Sequence, residues 1–358
     1  MKIKDYLNLM VEKNASDLFY RAGGKVRMRI RTKVVTVGEE IISSNEINET
    51  LKVLLSDELQ QLFTRNLDVD FALYLPELNR RFRVSIFRQR NWPSIVIRNI
   101  VPITKTMEDL NLPASVLKGL AMETRGLVLL TGSMGSGKST TIASIIEHIN
   151  SNTNKHILTV EEPIEFSFED KMSIVNQREL GLDVSSYPVA LRGFTLQSPD
   201  IIYIGNIRDY DTMIAAITAA ETGVLVLSTL HTVNTAQSVE RIINFFPPYQ
   251  HDEIRTELSS LLKGVISLRL VPRQDVPEVI PAYEVLLLTP TIARLIREGK
   301  IWEIPRFIEE GEIFGMCTFN QCLLKLVREG KVSPEVATNY SDNKDEFTLM
   351  LKGVRKGL

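Results

Sequence analysis

The sequence predicts an α/β protein on three observations. From Gly126 onward, short apolar runs alternate with helical segments, the pattern of a mostly parallel sheet covered on both faces. A glycine-rich turn joins the first of those runs to a helix, in the context that a phosphate-binding loop requires. Ahead of them, residues 1–100 mix strand-like and helical stretches in a unit of ordinary domain size. The chain has 358 residues, and at roughly 150 residues per domain that length suggests two domains or three.

Taken in order, Ile3, Tyr6, Leu7 and Met10 fall at i, i+3, i+4 and i+7, so residues 3–13 read as a short amphipathic helix. Strands follow around 16–37, a helical segment near 45–65, and strands around 69–75, 80–90 and 94–100. Within the first stretch, KVRMRIRTK (25–33) sets Lys25, Arg27, Arg29, Arg31 and Lys33 on alternate positions, which turns all five to one face of a strand. A solvated edge, a surface meeting an acidic partner and contact with anionic lipid are the readings open to that face. The aromatic interleaving of a single-strand nucleic-acid groove is missing, so no nucleic acid is expected. Pro102 and Pro113 bracket a linker, because the residue before a proline is biased away from helix. The expected division is an N-terminal domain at 1–100, a linker at 101–113 and a second domain at 114–358. In the second domain GLVLLT (126–131), HILTV (156–160), IIYI (201–204) and VLVLST (224–229) are the buried strands. After Pro281 the chain reads as mostly helical, with a helical segment over about 289–358.

Composition narrows the class. Hydrophobic residues make up 44% and charged residues 24%, the balance of a soluble globular protein. The 42 basic and 44 acidic residues sum to −2, so no global field recruits nucleic acid or lipid. Two cysteines, Cys317 and Cys322, exclude a disulfide scaffold and a four-cysteine zinc site, and buried small side chains are expected for both. The N-terminus shows no long apolar h-region and no apolar run approaches 18 residues, so a cytoplasmic location is expected.

GSMGSGKS (132–139) fits G-x-x-x-x-G-K-[ST] between a strand and a helix. Gly132, Ser133, Met134, Gly135, Ser136, Gly137, Lys138, Ser139 and Thr140 are therefore expected to cradle ATP. The glycines let backbone N–H groups turn inward, and the helix N-terminus favours the phosphate charge. Lys138 would reach the β- and γ-phosphates, and the Ser139 hydroxyl would ligate Mg²⁺. EEPIEF (161–166) follows strand 156–160, which gathers Glu161, Glu162 and Glu165 at a strand's C-terminal end, where open α/β sheets place ligands.

Together VEKNASDLF (11–19), RFRVSIFRQR (81–90), the phosphate loop, EEPIEF, NQRELGLD (176–183), TLHT (229–232), RIINFFP (241–247) and LIREGK (295–300) resemble the type IV pilus retraction ATPases. These form the PilT/PilU branch of the secretion-ATPase superfamily, and the first and seventh motifs lean toward its PilU side. The resemblance implies an N-terminal PAS-like α/β domain and a C-terminal RecA-like P-loop domain with appended helices. It implies a homo-hexamer that binds MgATP and works on an inner-membrane pilus platform protein, with a second retraction ATPase as a further partner. The expected location is then cytoplasmic and peripheral at the inner membrane. Residue by residue, it implies Glu165 as general base, Glu162 in place of the usual aspartate, and His231 as the second box histidine. It also implies Arg83 and Arg98, 15 residues apart, as N-domain arginines that reach the nucleotide.

Two positions depart from that pattern. Asn206, in SPDIIYIGNIRD (198–209), stands where the family carries a metal-associated glutamate, and Val224 stands where it carries a histidine. Asparagine cannot supply the charge that helps hold Mg²⁺ and its waters. The expectation is ATP binding with weakened hydrolysis. A catalytically reduced accessory subunit of a retraction ring and a secretion or assembly ATPase are the alternatives, the latter disfavoured by the missing zinc cysteines.

Overall fold

The computed structural model describes residues 2–30, 33–78, 80–102 and 105–353. The chain divides into two compact units, residues 1–102 with 165–167, and residues 103–164 with 168–358.

The first unit opens with α1 (Ile3–Glu12), whose buried residues are Ile3, Tyr6, Leu7 and Met10, the four that the periodicity singles out. Three strands follow, β1 (Ala15–Arg21), β2 (Lys25–Ile30) and β3 (Lys33–Ile41), then α2 (Ser44–Leu54) and α3 (Asp57–Asn66), then β4 (Asp68–Leu75), β5 (Arg80–Gln89) and β6 (Trp92–Pro102). The helical segment expected over 45–65 is two helices. Ser56 interrupts it by accepting a hydrogen bond from the Leu59 amide, which caps α3 as a new start. The sheet order is β3-β2-β1-β6-β5-β4, with every neighbouring pair antiparallel. Alternation sorts its side chains: Leu18, Val26, Met28, Phe82, Val84, Ile86, Ile95 and Ile97 are buried in one core with the residues of α1 and with Ile47 and Phe63. The other side chains of β2, β1, β6 and β5 place Arg29, Asp17, Arg98 and Arg83 directly opposite one another in a row.

The five alternating cations do not share one strand. Lys25, Arg27 and Arg29 lie on β2, Lys33 opens β3 after a hairpin closed by the Ile30–Lys33 pair, and Arg31 falls outside the described residues. No Gly, Asn or Pro stands between Ile30 and Lys33 in the sequence, so a period of two reads on from β2 into β3. Lys25 pairs with Glu39 at 2.9 Å and Arg29 with Asp17 at 3.1 Å.

The second unit begins with α4 (Ala114–Ala121), β7 (Gly126–Thr131), α5 (Lys138–Asn152) and β8 (His156–Glu161). The two-residue β9 (Phe166–Ser167) belongs to the first unit, where it pairs in parallel with β6. Then come β10 (Ile174–Glu179), α6 (Tyr187–Phe194), β11 (Ile201–Ile204), α7 (Tyr210–Glu221), β12 (Leu225–Leu230), α8 (Thr235–Ile243), α9 (His251–Leu261), β13 (Leu262–Pro272) and β14 (Val279–Leu287). Five helices close the described chain: α10 (Pro290–Arg297), α11 (Ile304–Glu309), α12 (Phe319–Arg328), α13 (Pro334–Tyr340) and α14 (Lys344–Leu351). The sheet runs β10-β8-β11-β12-β7-β13-β14 and is parallel except for β14. Its apolar residues serve two cores in alternation. Leu127, Leu129, Leu158 and Ile202 pack with Phe194 and Met213 on one face, while Val128, Leu130, Ile157 and Leu227 pack with Ile142 and Ile146 on the other.

Pro281 lies inside β14, which runs to Leu287 before α10 begins at Pro290. An edge strand tolerates a residue without an N–H, and β14 is an edge. Of residues 101–113, the first two continue β6, 103–104 lie outside the described residues, and Met107 and Leu112 are buried in the second unit. Both cysteines are free; Cys322 is buried and its sulfur accepts a hydrogen bond from the Tyr283 amide at 3.4 Å. No helix among the described residues is long and apolar enough to cross a membrane.

Phe194 is fully buried where α6 meets the sheet. Phe194→Ala should remove roughly 3–5 kcal/mol of stability, the usual cost of an aromatic cavity. Denaturant unfolding followed by tryptophan-independent circular dichroism checks it, and an unchanged midpoint contradicts it.

Candidate nucleotide site

β7 is buried along its whole length and delivers the chain to the C-terminal edge of a parallel sheet. There the backbone turns sharply. Gly132 has φ +141°, and a Cβ on it would sit 2.5 Å from both the Leu268 carbonyl oxygen and Ser136 Oγ, so only glycine fits. Gly137, at φ +95°, precedes α5 and offers no side-chain cap to its first amides. Uncapped amides at a helix start carry a partial positive charge and suit a phosphate. Lys138 is buried and folds back over the loop, its Nζ donating to the carbonyl oxygens of Gly132 at 2.7 Å and Ser133 at 2.8 Å. Two neutral carbonyls are weaker partners for an ammonium than a phosphate would be. Ser139 and Thr140 are half-buried behind it, and Met134 stands exposed at the loop tip.

The neighbouring strand ends supply the remaining groups. Glu161 closes β8 buried, accepting from Thr159 Oγ1 at 2.7 Å and Gln177 Nε2 at 3.0 Å. Glu162 is exposed and pairs with Arg208 at 3.0 Å, before a cis peptide bond to Pro163. After β11, Gly205 donates its amide to the Val160 oxygen at 2.8 Å and Ile207 to the Thr229 oxygen at 3.0 Å. These bonds pin Asn206 in a buried position, with neither Nδ2 nor Oδ1 partnered. Ser136 Oγ and the Tyr187 hydroxyl are likewise buried and unpartnered. His231 stands just past β12. Partial burial first, then the cations of Lys138 and Arg208, push its pKa below the ordinary value.

The residues fit Mg²⁺ only as an ion carried by the nucleotide. No cluster of three acidic, histidine or cysteine residues among the described ones could hold a metal by itself. Ser139 is the hydroxyl placed to join the phosphates and waters around such an ion, the usual way Mg²⁺ sits in ATP sites.

The loop residues, Glu162, Asn206 and His231 therefore all belong to the second unit. Glu165 is exposed and belongs to the first, next to β9. Arg83 and Arg98 are there too, directly opposite each other across β5 and β6; Arg98 pairs with Asp17 at 2.9 Å and Arg83 with Asp70 at 3.7 Å. Sequence reasoning missed Arg208, although the IRD that follows Asn206 signals it. It also missed Tyr187, whose burial without a partner has no sequence signature.

The model of the family "Type II/IV secretion system protein" matches residues 2–294. This chain belongs to that family. Among its relatives, the type IV pilus ATPase PilU of Pseudomonas aeruginosa is 40% identical over 352 residues, covering 98% of this chain and 92% of that protein. The type IV pilus retraction ATPase PilT of the same organism is 36% identical over 97% of this chain and 100% of that protein. A crystal structure of the pilus retraction motor PilT with bound ADP superposes with a TM-score of 0.89 at 36% identity, covering 97% of this chain and 98% of that one. The fold is thus the α/β fold of the secretion-ATPase family, and the chemistry of the family is that of ATPases.

Within that family the two departures have different standing in the structure. Asn206 lies at the C-terminal edge of the sheet with the phosphate loop. Val224 lies at the other edge, its carbonyl accepting from the Gly126 amide at 3.1 Å where β7 begins. Six residues of strand at ~3.3 Å each separate it from the loop by about 20 Å. Val224 does not touch this chain's own phosphate loop.

A histidine whose pKa is lowered stays neutral at pH 7 and gains its proton only in more acidic solution than a free one. In an NMR titration His231 should therefore titrate below 6.5, and Lys138→Ala should move it upward by removing one of the two cations. A value at or above 6.5 in the unliganded protein contradicts this placement.

Proposed function

We propose that this chain is the ATP-hydrolysing subunit of a pilus retraction motor. The observation that carries the reading is the phosphate loop, with Lys138 held by two carbonyls and α5 uncapped, in a chain related end to end to PilT and PilU. In this reading residues 1–100 form an N-terminal domain, 101–113 a linker and 114–358 the ATPase domain, and the working assembly is a homo-hexamer. ATP binds with Mg²⁺ on Gly132–Thr140. Ser139 joins the ion, Lys138 leaves its carbonyls for the phosphates, and Glu165 takes the proton of the attacking water. Arg83 and Arg98 supply planar cations for charge on the γ-phosphate, a task for which arginine is suited because it stays protonated. The mechanical output acts on a platform protein of the inner membrane, where the ring sits peripherally from the cytoplasmic side.

Asn206 sets the pace in this reading. A buried amide offers no negative charge to metal-bound water, so hydrolysis is slow while binding through the loop is kept. That neutral, unpartnered amide also favours a second reading, a nucleotide-binding accessory that works beside an active retraction ATPase.

Lys138→Ala should abolish ATP turnover and weaken nucleotide binding, whereas Glu165→Gln should keep binding and lower turnover about 100-fold, the scale of a lost general base. Steady-state phosphate release and equilibrium binding measure both. Wild-type turnover in Lys138→Ala would reject the ATPase reading. Deletion of the gene in its host should leave pili that extend but fail to retract unless the partner ATPase acts alone, in which case retraction under load is what falls.

A further inference from the structure

Asp17 stands on β1 between Arg29 of β2 and Arg98 of β6, on the sheet face turned away from the apolar core of the first unit. It is only 4% exposed, and a buried carboxylate needs its charge met. Its two oxygens are divided between the two arginines. Oδ1 accepts from Arg98 Nε at 2.9 Å, while Oδ2 accepts from Arg29 Nε at 3.1 Å and from Ser16 Oγ at 2.9 Å. The Arg29 guanidinium also lies over the Phe19 ring, 5.7 Å from its centroid. The Arg98 side chain, by contrast, is 65% exposed, and Asp17 is its only hydrogen-bond or ion-pair partner among the described residues. Arg83, opposite Arg98 on β5, pairs instead with Asp70 at 3.7 Å.

We propose that Asp17 is a positioning residue for ATP hydrolysis: it holds Arg98 by Nε so that both terminal nitrogens are offered to oxygens of the γ-phosphate, and Arg29 supplies the second cation that keeps the trio positive. The guanidinium is a planar fork with donors on its side and at its end. An acceptor at Nε fixes the plane from the side and leaves the end, with its two NH₂ groups, for another oxyanion. The charges count the same way. One carboxylate paired with one arginine would cancel it, whereas one carboxylate shared by two leaves a net positive charge. Donors fixed before the reaction serve a developing charge better than mobile ones, because nothing has to be reordered when that charge forms. The inference rests on the reading that Arg98 serves the γ-phosphate. To that reading it adds Asp17, which touches no substrate, and Arg29, one of the alternating cations of β2.

The test is single-turnover hydrolysis of ATP with Mg²⁺ by the full chain, with ADP affinity measured beside it, in a double-mutant cycle between positions 17 and 98. Asp17→Asn should slow the chemical step about 10-fold, the scale of one hydrogen bond to a charged group. ADP affinity should stay unchanged, because ADP has no γ-phosphate. In an Arg98→Ala background Asp17→Asn should slow nothing further, since no guanidinium is left to hold. Arg29→Gln, at a partly exposed side chain, should slow hydrolysis in the same way, and it carries the test if Asp17→Asn does not fold. A brace that merely ties β2 to β6 would lower stability in both backgrounds alike. Three results would overturn the proposal: a wild-type rate in Asp17→Asn or in Arg29→Gln, a matching loss of ADP affinity, or an effect of Asp17→Asn that persists without Arg98. If Arg98→Ala itself hydrolyses ATP at the wild-type rate, the assignment of Arg98 to the γ-phosphate falls, and Asp17 with it. If Arg98→Ala is slow and Asp17→Asn is not, only the role of Asp17 falls.

Discussion

At Gly132 the chain leaves a buried strand with φ +141° and passes so close to the Leu268 carbonyl that a single methyl group would collide with it. The whole phosphate edge is organised around that close approach. Ser136 tucks beneath the glycine, and the Lys138 ammonium closes on its carbonyl. The tight turn in turn depends on β13 running parallel beside β7, since it is β13 that brings Leu268 into place. A sheet buried on both faces is what makes the turn rigid enough to hold a cation over two neutral oxygens.

The same edge carries a polar deficit. Ser136, Tyr187 and Asn206 are buried without partners, and groups of that kind cost free energy unless a water or a ligand meets them. Around a phosphate-binding loop such a deficit reads as readiness for a ligand rather than as a defect. Its composition matters as well. A carboxylate at position 206 would favour metal-bound water and hence the transition state. An amide has no charge with which to do so.

Much of this was legible in the sequence because it rests on local patterns. The helix at Ile3–Glu12, the parallel strands after Gly126 and the phosphate loop each follow from periodicity or spacing, and end-to-end motifs were enough to point to the family. The division between β2 and β3 was not legible, since a period of two continues from one into the other. Strand structure around Pro281 was not legible, because the tolerance of a proline there depends on β14 being an edge, which only the assembled sheet reveals. Val224 looked like part of the site by its motif, yet a strand has two ends, and the motif does not say at which one it lies. Tyr187 has no pattern at all; the approach of its hydroxyl to Gly205 exists only once α6 has folded against the sheet.

The slow chemistry assigned to Asn206 is tested most directly by single-turnover hydrolysis of ATP already bound to the full chain, compared between the wild type and Asn206→Glu. Restoring the acid should raise the rate of the chemical step by about 100-fold or more, the scale on which one electrostatic group acts in a transition state, with little change in ATP affinity. Equal single-turnover rates in the two proteins would contradict it.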